Sequence, residues 1–157
     1  MEQLIQMLKE LLASTVALKY KAHGYHWNVE TDDFPQYHEF FGEIYEDYDG
    51  AIDPMAEWIR MIDINSYAPF KLSRFAQLSI IPETEVSANH EDMAKDLKIS
   101  NDLMIEKFAT AGQIATDAKQ FGLANFFGDR QTMHQKWSWQ LGALFRSDPE
   151  ETPQQGM

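Results

Sequence analysis

Two histidines and two carboxylates in the first part of the chain are of types that bind metal ions. The histidines are His26 and His38, and the carboxylates are Asp53 and Glu57. Imidazole and carboxylate together suit first-row divalent ions such as iron, manganese or zinc, and so few ligands leave coordination positions open for an oxidant or for water. The residue types therefore predict a metal site, and their spacing indicates how such a site could form.

The spacing separates the histidines from the carboxylates along one helix. At about 1.5 Å per residue, His38 lies roughly 22 Å from Asp53, farther than one metal centre can span. At about 100° per residue, however, His38, Asp49 and Asp53 lie within roughly 60° of one another, with Glu57 about 40° further round. If two such helices pack antiparallel about a two-fold axis, position 38 of one chain comes level with positions 53–57 of the other. Each site would then be built from both chains.

Each of these residues alone has an ordinary structural interpretation. A single histidine at a helix end commonly lies on the surface, and acidic residues at i and i+4 commonly form a solvated helix face. His26, however, shares a helical face with Leu8 and Leu12, so it points toward the surface on which that apolar stripe packs, and a buried imidazole needs a polar partner. The combination favours a metal site.

The sequence around these residues resembles a known family. The similar positions are the run His26-Trp27-Asn28-Val29, Phe34 and His38, the run Asp53-Pro54-Met55-Ala56-Glu57, and the late segment HQKWSWQL at 134–141. Together they look like the signature of the Dps-type mini-ferritins, and the resemblance covers nearly the whole chain. It implies an all-α subunit with a ferritin-like four-helix bundle and a short extra helix in the long connection between helices two and three.

The resemblance also implies a function. Dps-type proteins form hollow dodecamers from two-fold dimers and oxidise Fe(II), preferably with hydrogen peroxide and otherwise with dioxygen, at ferroxidase centres between subunits. By position, His26 and His38 match the ligands from one subunit, and Asp53 and Glu57 match those from its neighbour, for up to two non-haem irons per site. Trp27 matches an aromatic residue beside the iron that can take up a stray oxidising equivalent. No haem is expected, because no methionine is marked for a two-fold interface.

One ligand of the family pattern is missing. The family usually has a carboxylate four residues after the second histidine, and here that residue is Gly42. The iron position that contains His26 keeps all its expected ligands, whereas the second iron position, near His38, lacks one. Asp49 of the partner subunit is a candidate to replace the missing ligand. The alternative function is therefore a non-catalytic or weakly catalytic metal-binding cage. A side chain at position 42 is also expected to stabilise the helix, since glycine in a helix interior costs about 0.5–1 kcal/mol relative to alanine.

Composition limits the domain organisation, the cellular compartment and the binding partners that are expected. The 157 residues suit one domain, predicted at 1–146, with an acidic and disordered tail at 147–157. The absence of cysteine excludes disulfides and thiolate sites and favours a reducing cytoplasm. The sequence shows no signal peptide and no apolar run of membrane-spanning length. A net charge of −12 repels phosphate backbones, so DNA binding is not expected.

Hydrophobic periodicity predicts where the helices lie. A kink is expected near Gly50, because Pro54 removes one backbone donor. His23 and His90 are expected on the surface, and His134 is expected to serve packing or a subunit contact rather than catalysis. The predicted helices are helix one from Leu4 toward Tyr25, helix two at 34–61, a short helix at 73–78, helix three at 84–111 and helix four at 116–145.

Overall fold

The computed structural model describes residues 1–145, and within them the chain is helical with no strand. Four long helices form a bundle: the first, a broken second, and the last two, while a short helix lies in the connection between the second and the third. The segments are α1 (Glu2–Asn28), α2 (Phe34–Gly50), α3 (Ile52–Ile62), α4 (Leu72–Leu78), α5 (His90–Asp117) and α6 (Phe121–Ala143). The predicted all-α four-helix architecture is confirmed, whereas the predicted tail at 147–157 lies outside the described residues.

The core is built on the leucine stripe of α1. Leu4, Leu8, Leu11 and Leu18 are completely buried, and α1 contacts α2, α3, α4 and α5. Burying one such side chain stabilises the fold by about 1.5–3 kcal/mol. Because the same helix touches four others, it fixes the position of its last turn, which carries His26, against the rest of the bundle.

The second long helix breaks at Ala51, as Pro54 predicts. Pro54 has no N–H for the carbonyl of Gly50, and the Ala51 N–H bonds the carbonyl of Tyr48, three residues earlier, at 3.1 Å. α2 therefore ends at Gly50 and α3 begins at Ile52. The helix is interrupted where a kink was predicted, immediately before Asp53.

The predicted boundaries of the last two helices are wrong. α5 begins at His90 rather than near position 84, because the Asn89 side chain caps it by accepting bonds from the N–H groups of Glu91 (2.8 Å) and Asp92 (3.4 Å). α5 also continues through Gly112 to Asp117, and α6 begins at Phe121 rather than near 116. Lys119, with φ of 58°, makes the left-handed turn between them.

None of the helices in residues 1–145 is both long enough and apolar enough to cross a membrane.

Candidate metal centre

The end of α1 and the start of α2 bring His26 and His38 together. Their rings stack with centroids 3.7 Å apart and planes 19° from parallel. The His26 Nδ1–H donates to the backbone carbonyl of His38 (2.5 Å), and the His38 Nδ1–H donates to the backbone carbonyl of His26 (2.7 Å). A carbonyl oxygen only accepts, so both rings carry a proton on Nδ1, and each neutral imidazole keeps its lone pair on Nε2. This is how metal-binding histidines are commonly oriented.

The stacked geometry limits how the two histidines could bind a metal ion. A metal lies in the plane of the imidazole, about 2.0–2.1 Å from the nitrogen. Two rings that are nearly parallel and stacked at 3.7 Å cannot both direct Nε2 at one ion without one ring turning. The pair as it stands therefore suits two neighbouring positions, one for His26 and one for His38.

The two carboxylates lie on α3, at the far end of the second long helix. Asp53 and Glu57 are exposed and one helical turn apart, so they lie on one face. Among residues 1–145, no group of three or more His, Cys, Asp or Glu side chains converges on a common point. In one chain the histidine pair and the carboxylate pair are therefore two separate half-sites.

Asp49 forms an ion pair within its own chain. Its carboxylate lies 3.5 Å from Lys19 Nζ, and 59% of its side chain is exposed. An ion pair this exposed contributes little to stability, so it does not hold Asp49 strongly in place. A role for Asp49 as a substitute ligand remains a prediction.

An aromatic cluster lies beside the histidine pair. Trp27 is 58% exposed and contacts the ring of His23 at 4.1 Å rather than that of His26. His23 stacks on Tyr45 at 3.9 Å, and Tyr45 meets His26 edge-on at 5.3 Å. His23 was predicted on the surface and is partly exposed there: only its Nδ1 is buried, with no partner in residues 1–145, and desolvation lowers the pKa of His23. The sequence analysis missed Tyr45, although it lies two helical turns after His38.

A second polar cluster lies inside the bundle. The Nδ1–H of His134 and the hydroxyl of Tyr48 both donate to Asn101 Oδ1 at 2.7 Å, and Asn101 Nδ2 donates to the His134 carbonyl at 2.7 Å. His134 is completely buried, and its burial lowers its pKa to about 3. The prediction that His134 serves packing is confirmed.

A buried ion pair flanks this cluster. Arg130 donates two hydrogen bonds to the carboxylate of Asp47 (2.9 and 2.8 Å), and Trp137 Nε1 donates a third (2.8 Å). Burial is the largest single influence on Asp47 and would raise its pKa, but the hydrogen bonds and charge of Arg130 together with the hydrogen bond from Trp137 outweigh it, so the pKa is lowered. These contacts tie α2 to α6.

Residues 5–149 match the family model of the ferritin-like domain. The chain belongs to the ferritin-like family. The match includes most of α1, all of α2 to α6, the histidine pair and the carboxylate pair.

The relatives of this ferritin-like chain include Dps proteins, so the resemblance to Dps-type mini-ferritins is confirmed. A DNA protection during starvation protein from Helicobacter pylori is 27% identical over 139 residues, which are 88% of this chain and 95% of that protein. The Dps structure from Thermosynechococcus elongatus has a TM-score of 0.87 at 21% identity, covering 97% of this chain and 96% of that one.

A second solved structure is of the same kind. The Dps protein from Vibrio cholerae O1 has a TM-score of 0.86 at 23% identity, covering 92% of this chain and 90% of that one, and it is described as a member of a broad superfamily of ferritin-like diiron-carboxylate proteins. At these identities the structural likeness is one of fold. The predicted ferritin-like bundle is therefore confirmed.

Proposed function

We propose that this protein oxidises Fe(II) at sites shared between two-fold-related subunits, stores the Fe(III) in a cage and thereby protects against oxidative damage. The observation that carries the proposal is the histidine pair, which is oriented by its Nδ1 bonds and lies at the opposite end of the second long helix from two exposed carboxylates. An antiparallel pairing of two such helices joins His26 and His38 to Asp53 and Glu57 of the partner subunit.

The ligand set suits iron as a substrate. The carboxylates of Asp53 and Glu57 are hard oxygen donors for Fe(II), and the two Nε2 atoms complete one position each. With hydrogen peroxide, two Fe(II) ions give one electron each, the O–O bond breaks, and two Fe(III) ions and two hydroxides result. The two histidines provide two neighbouring iron positions for this two-electron step, with no haem, and Trp27 remains the proposed acceptor of stray oxidising equivalents.

The assembly and the setting belong to the same proposal. A composite site requires at least a two-fold dimer, and the family resemblance extends this to a dodecameric cage in the cytoplasm, with peroxide preferred over dioxygen. Hydrophobic side chains next to the carboxylate half-site support such a contact, because Met61 and Ile64 are 65% and 76% exposed. Sedimentation of the native protein is expected to show the oligomer; a protein found only as a monomer would contradict the composite site.

Gly42 favours a second candidate function, a cage that binds metal but oxidises it weakly or not at all. A DNA-binding function has less support, because the net charge of −12 opposes contact with phosphates. Stopped-flow absorbance after mixing with Fe(II) and peroxide distinguishes the two cages, since only a ferroxidase gives a rapid Fe(III) signal. A gel shift at low salt tests DNA binding.

Complementation between half-sites tests the shared site directly. One variant, His26→Ala/His38→Ala, loses the histidine half-site, and the other, Asp53→Asn/Glu57→Gln, loses the carboxylate half-site. Each homo-oligomer is expected to lose rapid oxidation. When the two are assembled together at random, about a quarter of the sites combine intact halves from both chains, because a mixed two-fold dimer contains one intact site and one doubly altered site. Absence of any recovery in a mixed cage would overturn the proposal.

A further inference from the structure

The backbone of Gly42 packs directly against the side-chain ring of His26. It is buried in α2, and a Cβ built on it would lie 3.1 Å from His26 Nδ1 and 3.3 Å from His26 Cε1. Both distances are shorter than the 3.5–4.0 Å at which carbon atoms pack best. The imidazole therefore occupies the volume into which any side chain at position 42 would project.

The His26 ring is not free to move out of this volume. Its Nδ1–H is bonded to the His38 carbonyl at 2.5 Å, and its face stacks on the His38 ring at 3.7 Å. Tyr45 meets its edge at 5.3 Å. A Cβ at position 42 would press on His26 Nδ1, the atom that donates the hydrogen bond. If the ring moved away to relieve this contact, the hydrogen bond to the His38 carbonyl would be weakened.

We propose that Gly42 is a positioning residue of the iron site, which supplies no ligand but gives His26 the room to form the reciprocal pair with His38. The role of Gly42 at an iron site rests on the proposed function, whereas the contact between position 42 and His26 rests on packing alone. In this chain a side chain at position 42 would have to move the His26 ring, so Gly42→Asp is not expected to add the ligand of the family pattern while the reciprocal pair stays as it is.

The charge of the site has a corresponding consequence. Two neutral imidazoles with the carboxylates of Asp53 and Glu57 carry a charge of −2, which balances one divalent ion and leaves a second one uncompensated. The site is therefore expected to hold one cation tightly and a second only during turnover. The inference also reverses the expectation that any side chain at position 42 stabilises the helix.

A double-mutant cycle without metal tests the packing. Gly24→Ala is the matched control, because Gly24 lies two residues before His26 in α1 and a Cβ there would meet nothing within 4 Å. Gly24→Ala is expected to raise the melting temperature of the assembled protein, and Gly42→Ala to lower it. In a His26→Ala background, Gly42→Ala is expected to raise the melting temperature as Gly24→Ala does. A rise with Gly42→Ala in the otherwise native protein, equal to that of the control, would overturn the inference.

Titration with Co(II), which does not turn over with oxygen in the way Fe(II) does, tests the positioning. Gly42→Ala and Gly42→Asp are both expected to weaken cobalt binding by about tenfold or more, the scale of losing a group that orients a ligand, while Gly24→Ala leaves it unchanged. If Gly42→Asp instead bound a second Co(II) and kept the first, the inference would be wrong. If the native protein bound neither cobalt nor iron, the proposed function would fail, and the melting cycle would still decide whether Gly42 and His26 are coupled.

Discussion

The histidine pair at the end of α1 and the single histidine inside the bundle have the same hydrogen-bonding pattern in opposite surroundings. His26, His38 and His134 each donate Nδ1–H to an oxygen, which leaves Nε2 without a proton in the neutral ring. Around His134, however, Tyr48 and Phe108 pack at 5.1 and 5.2 Å between ring centroids, and its Nε2 has no partner among residues 1–145. Orientation of the imidazole is therefore not sufficient for metal binding. The metal and a carboxylate of the partner must also be able to reach Nε2.

Mutations in the two regions are expected to affect different properties of the protein. Changes to the half-sites are expected to alter metal chemistry while the bundle remains stable, because these side chains lie at its surface. Changes to the core cluster are expected to alter stability while the metal chemistry of the folded protein remains.

The largest effect is expected at the carboxylates. Asp53→Asn and Glu57→Gln remove a charge each and keep the shape, so Fe(II) affinity should fall by on the order of 100-fold or more, beyond the loss typical of groups behind the ligands. The melting temperature should change little, because both side chains are exposed. Anaerobic Fe(II) titration and thermal unfolding measure the two quantities. Unchanged iron affinity in both variants would mean that α3 is not part of the site.

A core change should give the reverse pattern. Asp47→Asn leaves the Arg130 charge buried without its counter-ion and is expected to cost about 3–5 kcal/mol in the free energy of unfolding. Asp49→Asn, two residues away, is the control: it breaks only the exposed pair with Lys19, worth about 0–1 kcal/mol. Denaturant unfolding compares the two, and equal losses would contradict the distinction between buried and exposed ion pairs on this helix.

The pH dependence of stability should depend on His134. Its pKa is lowered from the ordinary value to about 3, so the folded state keeps it neutral while the unfolded chain takes up a proton near pH 6.5. Its contribution to stability is complete above about pH 6.5 and is lost as the pH falls toward about 3. Unfolding measured between about pH 6.5 and 5.5, where unfolded carboxylates remain almost entirely ionised, should show a slope that His134→Gln flattens.

His23 provides the control for this slope. The pKa of His23 is also lowered by burial, so it contributes in the same direction, but its side chain is only partly buried. His23→Gln should therefore flatten the slope less than His134→Gln does. Equal slopes in His134→Gln and the native protein would show that the core tolerates the charge.

Sequence alone predicted the features that depend on local periodicity and chain chemistry. The leucine spacing predicted α1, and the missing backbone N–H of Pro54 predicted the break before Asp53. The start of α5 was missed because Asn89 caps it through a side-chain bond that hydrophobic periodicity does not detect. For the site, residue types and spacing indicated the candidate ligands, and the family pattern singled out Gly42. Only tertiary packing could show that the His26 ring fills the space above Gly42.

The smallest effect is expected when one histidine of the pair is removed. The Nδ1 bond of His26 goes to the backbone carbonyl of His38, which remains in His38→Ala, so His26 should keep its orientation. His38→Ala should therefore retain one tightly bound iron per site and slow oxidation, because only the second position has lost its imidazole. His26→Ala should instead weaken the tight position. Iron titration and stopped-flow oxidation on both variants measure the difference. Identical stoichiometry and rates in the two variants would show that the histidines are interchangeable and that the stacked pair does not define two positions.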